Sequence, residues 1–189
     1  MNRIEKLIAE LCPEGVEWKK LGEVAELKRG TPITKGKIVN GEIPVIAGGR
    51  QPAYFHNEYN REGETIVVAG SGAYAGYVSY WNKPIFVSDA FSIKAKGGII
   101  ITKYLYYYLL NKQEVIHSKK KGSCVPHVHI GDVITFPIPL PPLSEQERIV
   151  ATLDKFDALV NDISQGLPAE IEARRKQYEY YRNKLLTFK

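Results

Sequence analysis

Cysteine is almost missing from this 189-residue chain, with Cys12 and Cys124 the only two. Two thiols cannot staple a fold together, so a disulfide framework is excluded and stability must come from an apolar core. No apolar run approaches the roughly 20 residues that a membrane span requires. Met1 to Leu11 mixes charges with Ile4, Leu7, Ile8 and Leu11 at helical spacing. That pattern predicts a short amphipathic helix, ended by Pro13 and Gly15, and not a secretory signal. The expectation is a cytoplasmic protein with no membrane partner.

Chemistry-bearing motifs are also scarce. There is no G-x-x-x-x-G-K-[ST] loop to cradle phosphates, which argues against nucleotide hydrolysis. Asp89 and Asp132 are isolated carboxylates, without the E-x-K partner of a metal nuclease. Asn82-Lys83-Pro84-Ile85 lacks the second proline and the aromatic residue that a base-flipping methyltransferase loop uses to stack its target. Gly70-Ser71-Gly72-Ala73-Tyr74-Ala75-Gly76 comes after a strand-like run, but its third glycine is one residue late for a dinucleotide fingerprint. The next residues, Tyr77 to Trp81, are strand-like where that site needs a helix. A loop of small residues that lets backbone approach a partner fits better. Cys124, His127 and His129 have ligand-like spacing, yet a structural zinc site needs four ligands and only Cys12 and His117 remain as soft candidates. Loop or core histidines are the plainer reading. No catalysis, cofactor or metal is expected.

What the chain does have is charge in the right places. Subtracting 21 acids from 26 bases leaves +5, with a pI near 9.0. Lys94, Lys96, Lys103, Lys112, Lys119, Lys120 and Lys121 face a single acid, Glu114, in their stretch. Lys28, Arg29, Lys35, Lys37 and Arg50 face only Glu42. Clustered cations release counterions on meeting phosphate, so DNA or RNA leads as partner class, against a solvated basic face as the alternative. Tyrosines are abundant, and most are expected half-buried with an exposed hydroxyl. Tyr54 and Tyr74, beside Arg50 and within the glycine loop, could instead meet phosphates or base edges.

Along the chain, Leu21, Val24 and Leu27 are core candidates. From Thr31 to Ser92 short β-branched or aromatic runs are separated by Gly, Pro and Asn, which predicts strands. Ile99 to Asn111 changes to helical spacing, with Leu105, Tyr108 and Leu109 on one face. Ile134 to Leu143 holds Pro137, Pro139, Pro141 and Pro142 and must be extended. Ser144 with Glu147 three residues on reads as a capping box, so a long helix should begin there. Ile149, Leu153, Phe156, Val160, Ile163 and Leu167 then recur at heptad spacing. After an out-of-step interval at Gly166-Leu167-Pro168 the stripe resumes at Ile171, Tyr178, Tyr181 and Leu185. A straight helix from Ser144 to Phe188 would run about 65 Å at about 1.5 Å per residue. A seam of that length needs a partner helix. The predicted fold is α+β: a β-rich globular head, residues 1–143, and a long C-terminal helical, coiled-coil arm, residues 144–189.

Phe136 to Leu159 (FPIPLPPLSEQERIVATLDKFDAL) and Leu167 to Leu186 (LPAEIEARRKQYEYYRNKLL) resemble the helical spacer of the specificity subunits of type I restriction-modification enzymes. Leu11 to Gly30 is similar to the opening of such subunits. Ile43 to Gly49, Gly70 to Tyr80 and Asp89 to Ile93 resemble the skeleton of their target recognition domain. Members usually carry two recognition domains and two spacers, whereas this chain has one of each and looks like a half-subunit. The resemblance implies a non-catalytic protein that binds double-stranded DNA and directs methyltransferase (M) and restriction (R) subunits to a bipartite site. It also implies antiparallel spacer helices, which two copies could reproduce as a homodimer. Candidate DNA contacts, chosen by charge and loop character, are Lys28, Arg29, Lys35, Arg50, Tyr54, Ser71, Tyr74, Lys94 and Lys96. A catalytic methyltransferase fragment and a coiled-coil or decoy protein that ignores sequence stand as alternatives.

Overall fold

The computed structural model describes residues 15–33, 39–157 and Lys176. Its contacts divide the chain into one compact unit of Met1–Val150 and a second of Ala151–Lys189. The helix expected at residues 1–11, the candidate Lys35, and the seam positions Val160, Ile163, Leu167, Ile171, Tyr178, Tyr181 and Leu185 lie outside the described residues, as does the Gly166–Pro168 break.

Nine strands and four short helices succeed one another in the first unit: β1 (Glu17–Lys20), α1 (Leu21–Val24), β2 (Ala25–Arg29), β3 (Ile43–Ile46), β4 (Tyr54–His56), β5 (Glu64–Ala69), β6 (Val78–Asn82), β7 (Phe86–Val87), β8 (Ala90–Ala95), α2 (Thr102–Asn111), α3 (Gln113–His117), α4 (Ile130–Val133) and β9 (Pro137–Leu140), counted among the described residues. Residues 143–157 are helical (α5). The fold is mixed α/β, dominated by sheet, as the alternating apolar runs predict.

Strand β5 organises the core. Its sequence, Glu-Thr-Ile-Val-Val-Ala, is an almost continuous β-branched run, the composition of a strand buried on both faces. It lies inside a four-stranded sheet of order β2-β8-β5-β6. Side chains alternate across a strand, so Ile66 and Val68 face one cluster and Val67 the other. On the first face Tyr104, Leu105 and Leu109 of α2, Ile116 of α3, Val133 of α4 and Ile138 of β9 close over Phe91 and Ile93. On the second, Ile46 of β3 and Val87 of β7 pack with Ile85 and Ala90, so a second sheet of order β4-β3-β7 covers part of that face.

The proline-rich stretch is extended over Pro137–Leu140, where it has a partner, whereas Ile134 still has helical geometry at the end of α4 and Leu143 already belongs to α5. β9 pairs antiparallel with β1, with Glu17 opposite Leu140 and Lys20 opposite Pro137. Proline cannot donate to a ladder, and β9 sits at the rim of a sheet of only two strands, where that deficit is tolerated. The carbonyls of Pro137 and Pro139 accept hydrogen bonds from the hydroxyls of Tyr108 (2.8 Å) and Tyr104 (3.1 Å) on α2. Burial raises the Tyr108 pKa above the usual phenol value, which keeps that hydroxyl a donor. These two tyrosines are structural.

Helix α5 starts one residue earlier than the capping-box reading has it. The N–H groups of Glu145 and Gln146 donate to the carbonyl of Pro142 at 2.9 and 3.1 Å. Proline suits this entry because the first helical N–H groups have no partner within the helix. Gln146 is completely buried, accepts from the Ile101 N–H (2.9 Å) and donates to the carbonyls of Pro141 (2.9 Å) and Ile99 (3.1 Å). Ile149 and Val150 pack against the main core. In the second unit Leu153 is half-buried and Phe156 is 60% exposed. No described helix is long and apolar enough to cross a membrane.

Candidate nucleic-acid interface

The predicted contact residues are sorted by the period of the sheet. Lys28 stands opposite Ser92 and Arg29 opposite Phe91, so neighbours in sequence project from opposite faces of β2. Lys28 and Lys94 share the Val67 face of the sheet, in the part that the second sheet does not cover. With Glu26, Arg61, Glu62 and Ser92 they line a cleft of about 330 Å³. Arg29 lines a second cleft of about 340 Å³, together with Gly70, Asp89, His127 and His129. Lys96 joins neither cleft. Its amine donates to the carbonyls of Gly22 (3.2 Å) and Glu23 (3.0 Å), closing off α1.

Arg61, which charge clustering did not single out, fixes the first of these clefts. Its Nε donates to Ser92 Oγ (2.7 Å), Nη1 to the Asn60 carbonyl (2.6 Å) and Nη2 to the Arg29 carbonyl (3.0 Å). Ser92 Oγ in turn donates to the Lys28 carbonyl at 3.1 Å. Burial pulls the Arg61 pKa below the usual arginine value, while Glu26 opposes the shift. One guanidinium thus sets the backbone from which Lys28 and Arg29 project. Beside it, Asn60 clamps Val87 in both directions: its Nδ2 donates to the carbonyl (2.9 Å) and its Oδ1 accepts from the N–H (2.7 Å). Neither residue carries a sequence signal beyond a polar pair ahead of a strand.

The remaining candidates meet at the glycine loop. The Arg50 guanidinium carbon lies over the Tyr74 ring, 4.9 Å from its centroid, and 5.5 Å from the Tyr77 centroid. Ser71 hydrogen-bonds Asp89. The Lys120 amine donates to the Ala73 carbonyl at 3.0 Å. Tyr54 stands on β4 opposite Val45, in the strand just after the Arg50 turn. Arg50, Ser71 and Tyr74 are therefore brought together, and Tyr54 lies on the element next to them.

Of the loop's glycines, Gly76 serves internal packing, whereas a Cβ on Gly72 would meet open space. Gly76 has φ +82°, and a Cβ there would meet Ile116, His117 and Val128 at 3.0–3.3 Å. The Gly72 N–H donates to the Pro126 carbonyl, and the Val128 N–H to that of Gly70. That strand-like pairing sets His127 and His129 on one side, their rings stacked 5.8 Å apart. His127 Nδ1 meets the Val125 carbonyl at 2.7 Å, and Cys124 is exposed. Among the described residues no group of three His, Cys, Asp or Glu side chains is placed to hold a metal ion. In the basic loop Lys121 pairs with Asp132. The Lys121 hydrogen bond, with help from the His129 N–H, holds the Asp132 carboxyl below its usual pKa.

The two clefts and Arg50 offer cations, planar donors, the exposed carboxylates of Glu26, Glu62 and Asp89, and aromatic faces. That set can contact phosphates and base edges, the two components of DNA recognition. Comparison with known proteins points the same way. The chain is 35% identical to the Escherichia coli type I restriction enzyme EcoR124I/EcoR124II specificity subunit, covering 92% of this chain and 48% of that protein. It is 33% identical to the Mycoplasma pneumoniae type I restriction enzyme MpnII specificity subunit, covering 88% and 51%. The crystal structure of the S subunit of a type I restriction-modification system from M. genitalium superposes with a TM-score of 0.70 at 26% identity, covering 90% and 46%. The HsdS subunit of Thermoanaerobacter tengcongensis, 22% identical over 86% of this chain and 44% of its own, shares the fold with a TM-score of 0.61. The chain thus spans about half the length of the relatives it matches. Residues 13–173 match the family described as the type I restriction modification DNA specificity domain, and the chain belongs to that family.

Proposed function

We propose that this chain is a non-catalytic DNA-specificity component of a type I restriction-modification enzyme, acting as a half-subunit. The observation that carries the reading is the family match, which runs from residue 13 to residue 173, while the chain covers 48% of the E. coli relative and 51% of the MpnII subunit. Residues 1–143 form the target recognition domain and bind one half of a bipartite site in double-stranded DNA. Lys28, Arg29, Lys35, Lys94 and Lys96 contribute mainly to phosphate contact, and Arg50, Tyr54, Ser71 and Tyr74 to the loop surface against the duplex. Residues 144–189 form the spacer arm, which docks M subunits and sets the distance between half-sites. The M subunits and an R subunit supply the chemistry.

In this reading two copies pair through antiparallel arms, so that the site is an inverted repeat. The exposed Phe156 supports it, since an aromatic ring in the heptad stripe remains uncovered among the described residues. Mapping of methylated bases in the host, with the gene deleted and then restored, tests the function. The expected result is loss and recovery of methylation at one bipartite motif. An unchanged methylation pattern would overturn it. Binding of labelled S-adenosylmethionine by the isolated chain would favour a catalytic fragment instead, and equal affinity for all duplexes a decoy.

A further inference from the structure

We infer that Arg50 is the residue that reads a guanine in the half-site, through its N–H fork to O6 and N7 in the major groove, with Tyr74 as its positioning residue. The inference rests on the DNA-specificity reading above and goes beyond it by assigning a base to a side chain. Arg50 is exposed, and among the described residues no carboxylate or carbonyl holds its guanidinium. Its guanidinium carbon lies over the Tyr74 ring, 4.9 Å from the centroid, and 5.5 Å from that of Tyr77. A contact of this kind uses none of the group's N–H donors, so its planar fork remains available for a bidentate contact. The platform itself is braced. A Cβ on Gly48, two residues before Arg50, would lie 2.4 Å from the Ser71 carbonyl, so the Arg50 turn sits directly on the glycine loop. Lys120 ties the loop at Ala73, and Ser71 ties it to Asp89.

Two features favour a base edge over a phosphate. The Asp89 carboxylate is exposed and tied to the same loop through Ser71, and it would repel phosphate oxygens; cytosine N4, the partner group across a G·C pair, is a donor that a carboxylate accepts. The nearby amine that could act as a simple point charge, Lys120, is already engaged by a backbone carbonyl. A planar fork held over an aromatic ring, on a loop that also carries an acid, suits a base pair better than a backbone.

The test is selection from duplexes with randomised half-sites, using the full chain bound to its M subunits, for the parent, R50K, R50A and Y74F. The expected result is a guanine at one position that the parent prefers by about 10- to 100-fold. R50A and R50K should both lose that preference while preferences elsewhere persist, R50K because an ammonium keeps the charge without the fork. Y74F keeps the ring face and should keep the guanine. If R50A instead weakens every sequence alike and lowers the salt slope by about one, Arg50 contacts a phosphate and the assignment is overturned. A guanine preference that survives R50A overturns it as well. A parent that selects no sequence sinks the specificity reading and this inference together, whereas the other two outcomes sink the inference alone.

Discussion

Replacing Gln146 by leucine removes a side chain with no solvent exposure and keeps nearly its volume. The loss is therefore polar rather than steric. Three backbone groups depend on that amide: the Ile101 N–H and the carbonyls of Ile99 and Pro141. A buried group left without its partner costs about 1–3 kcal/mol. Allowing for some rearrangement at the two carbonyls, the sum is about 3–5 kcal/mol, a large part of the roughly 5–15 kcal/mol that holds a domain folded. With a urea slope of about 2 kcal/mol per molar, the unfolding midpoint should fall by about 2 M. Amide exchange at Ile101 should rise far more than at Val67 in β5, because the first is released locally. A midpoint within about 0.3 M of the parent would refute the idea that Gln146 stitches the first turn of α5 to the segment before α2. Gln146→Glu sharpens the test. A carboxylate cannot donate to two carbonyls, so its folded-state pKa must rise above the unfolded value of about 4.3. The penalty is absent below that value and grows as pH rises toward the folded pKa, so this variant should lie closer to the parent at pH 4 than at pH 7.

Arg61→Ala should cost about 2–4 kcal/mol in chemical denaturation, since it leaves Ser92 and the carbonyls of Asn60 and Arg29 without their shared donor. Phe156→Asp places a charge on the proposed seam and should weaken self-association by about 30- to 1000-fold in sedimentation equilibrium; an unchanged mass distribution would remove Phe156 from that interface. Asp132 has a depressed pKa, so its ion pair with Lys121 stabilises fully above the unfolded value and is lost as pH falls through the folded one. Urea midpoints of the parent and Asp132→Asn should therefore differ at pH 7 and converge in acid. Lys28→Ala should lower DNA affinity for all sequences and reduce the slope of log K against log salt by about 0.9; an unaltered slope would place Lys28 off the backbone.

Where the pattern of residues is local, the sequence foretold the structure. The β-branched run of β5, the helical spacing of α2 and the proline rule over Pro137–Leu140 each depend on near neighbours, and each is present. Pairing is not local. Nothing between Glu17 and Lys20 announces a partner at Leu140, and nothing in β2 announces that Lys28 and Arg29 serve different clefts until strand period and sheet order are combined. Charge clustering picked out Arg50, which lies over Tyr74, but missed Arg61, whose value lies in the backbone carbonyls of β2 and Asn60 and the Ser92 hydroxyl that it gathers. Counting cations also does not foresee that the Lys96 amine, one of its choices, donates to two carbonyls of α1. The Ser-x-x-Glu signature missed the start of α5 by one residue, since the first helical hydrogen bonds run to the Pro142 carbonyl and Ser144 lies inside the first turn.

Because β1 and β9 are hydrogen-bonded neighbours, the polypeptide comes in and goes out through one doorway. Everything from Leu21 to Phe136 hangs from that frame, and the Leu21 N–H bond to the Phe136 carbonyl latches its first rung. A surface rebuilt inside such a frame leaves the direction of departure into α5 untouched. Grafting residues 21–136 from a relative should thus exchange what the protein reads without redrawing the hinge on which it hangs.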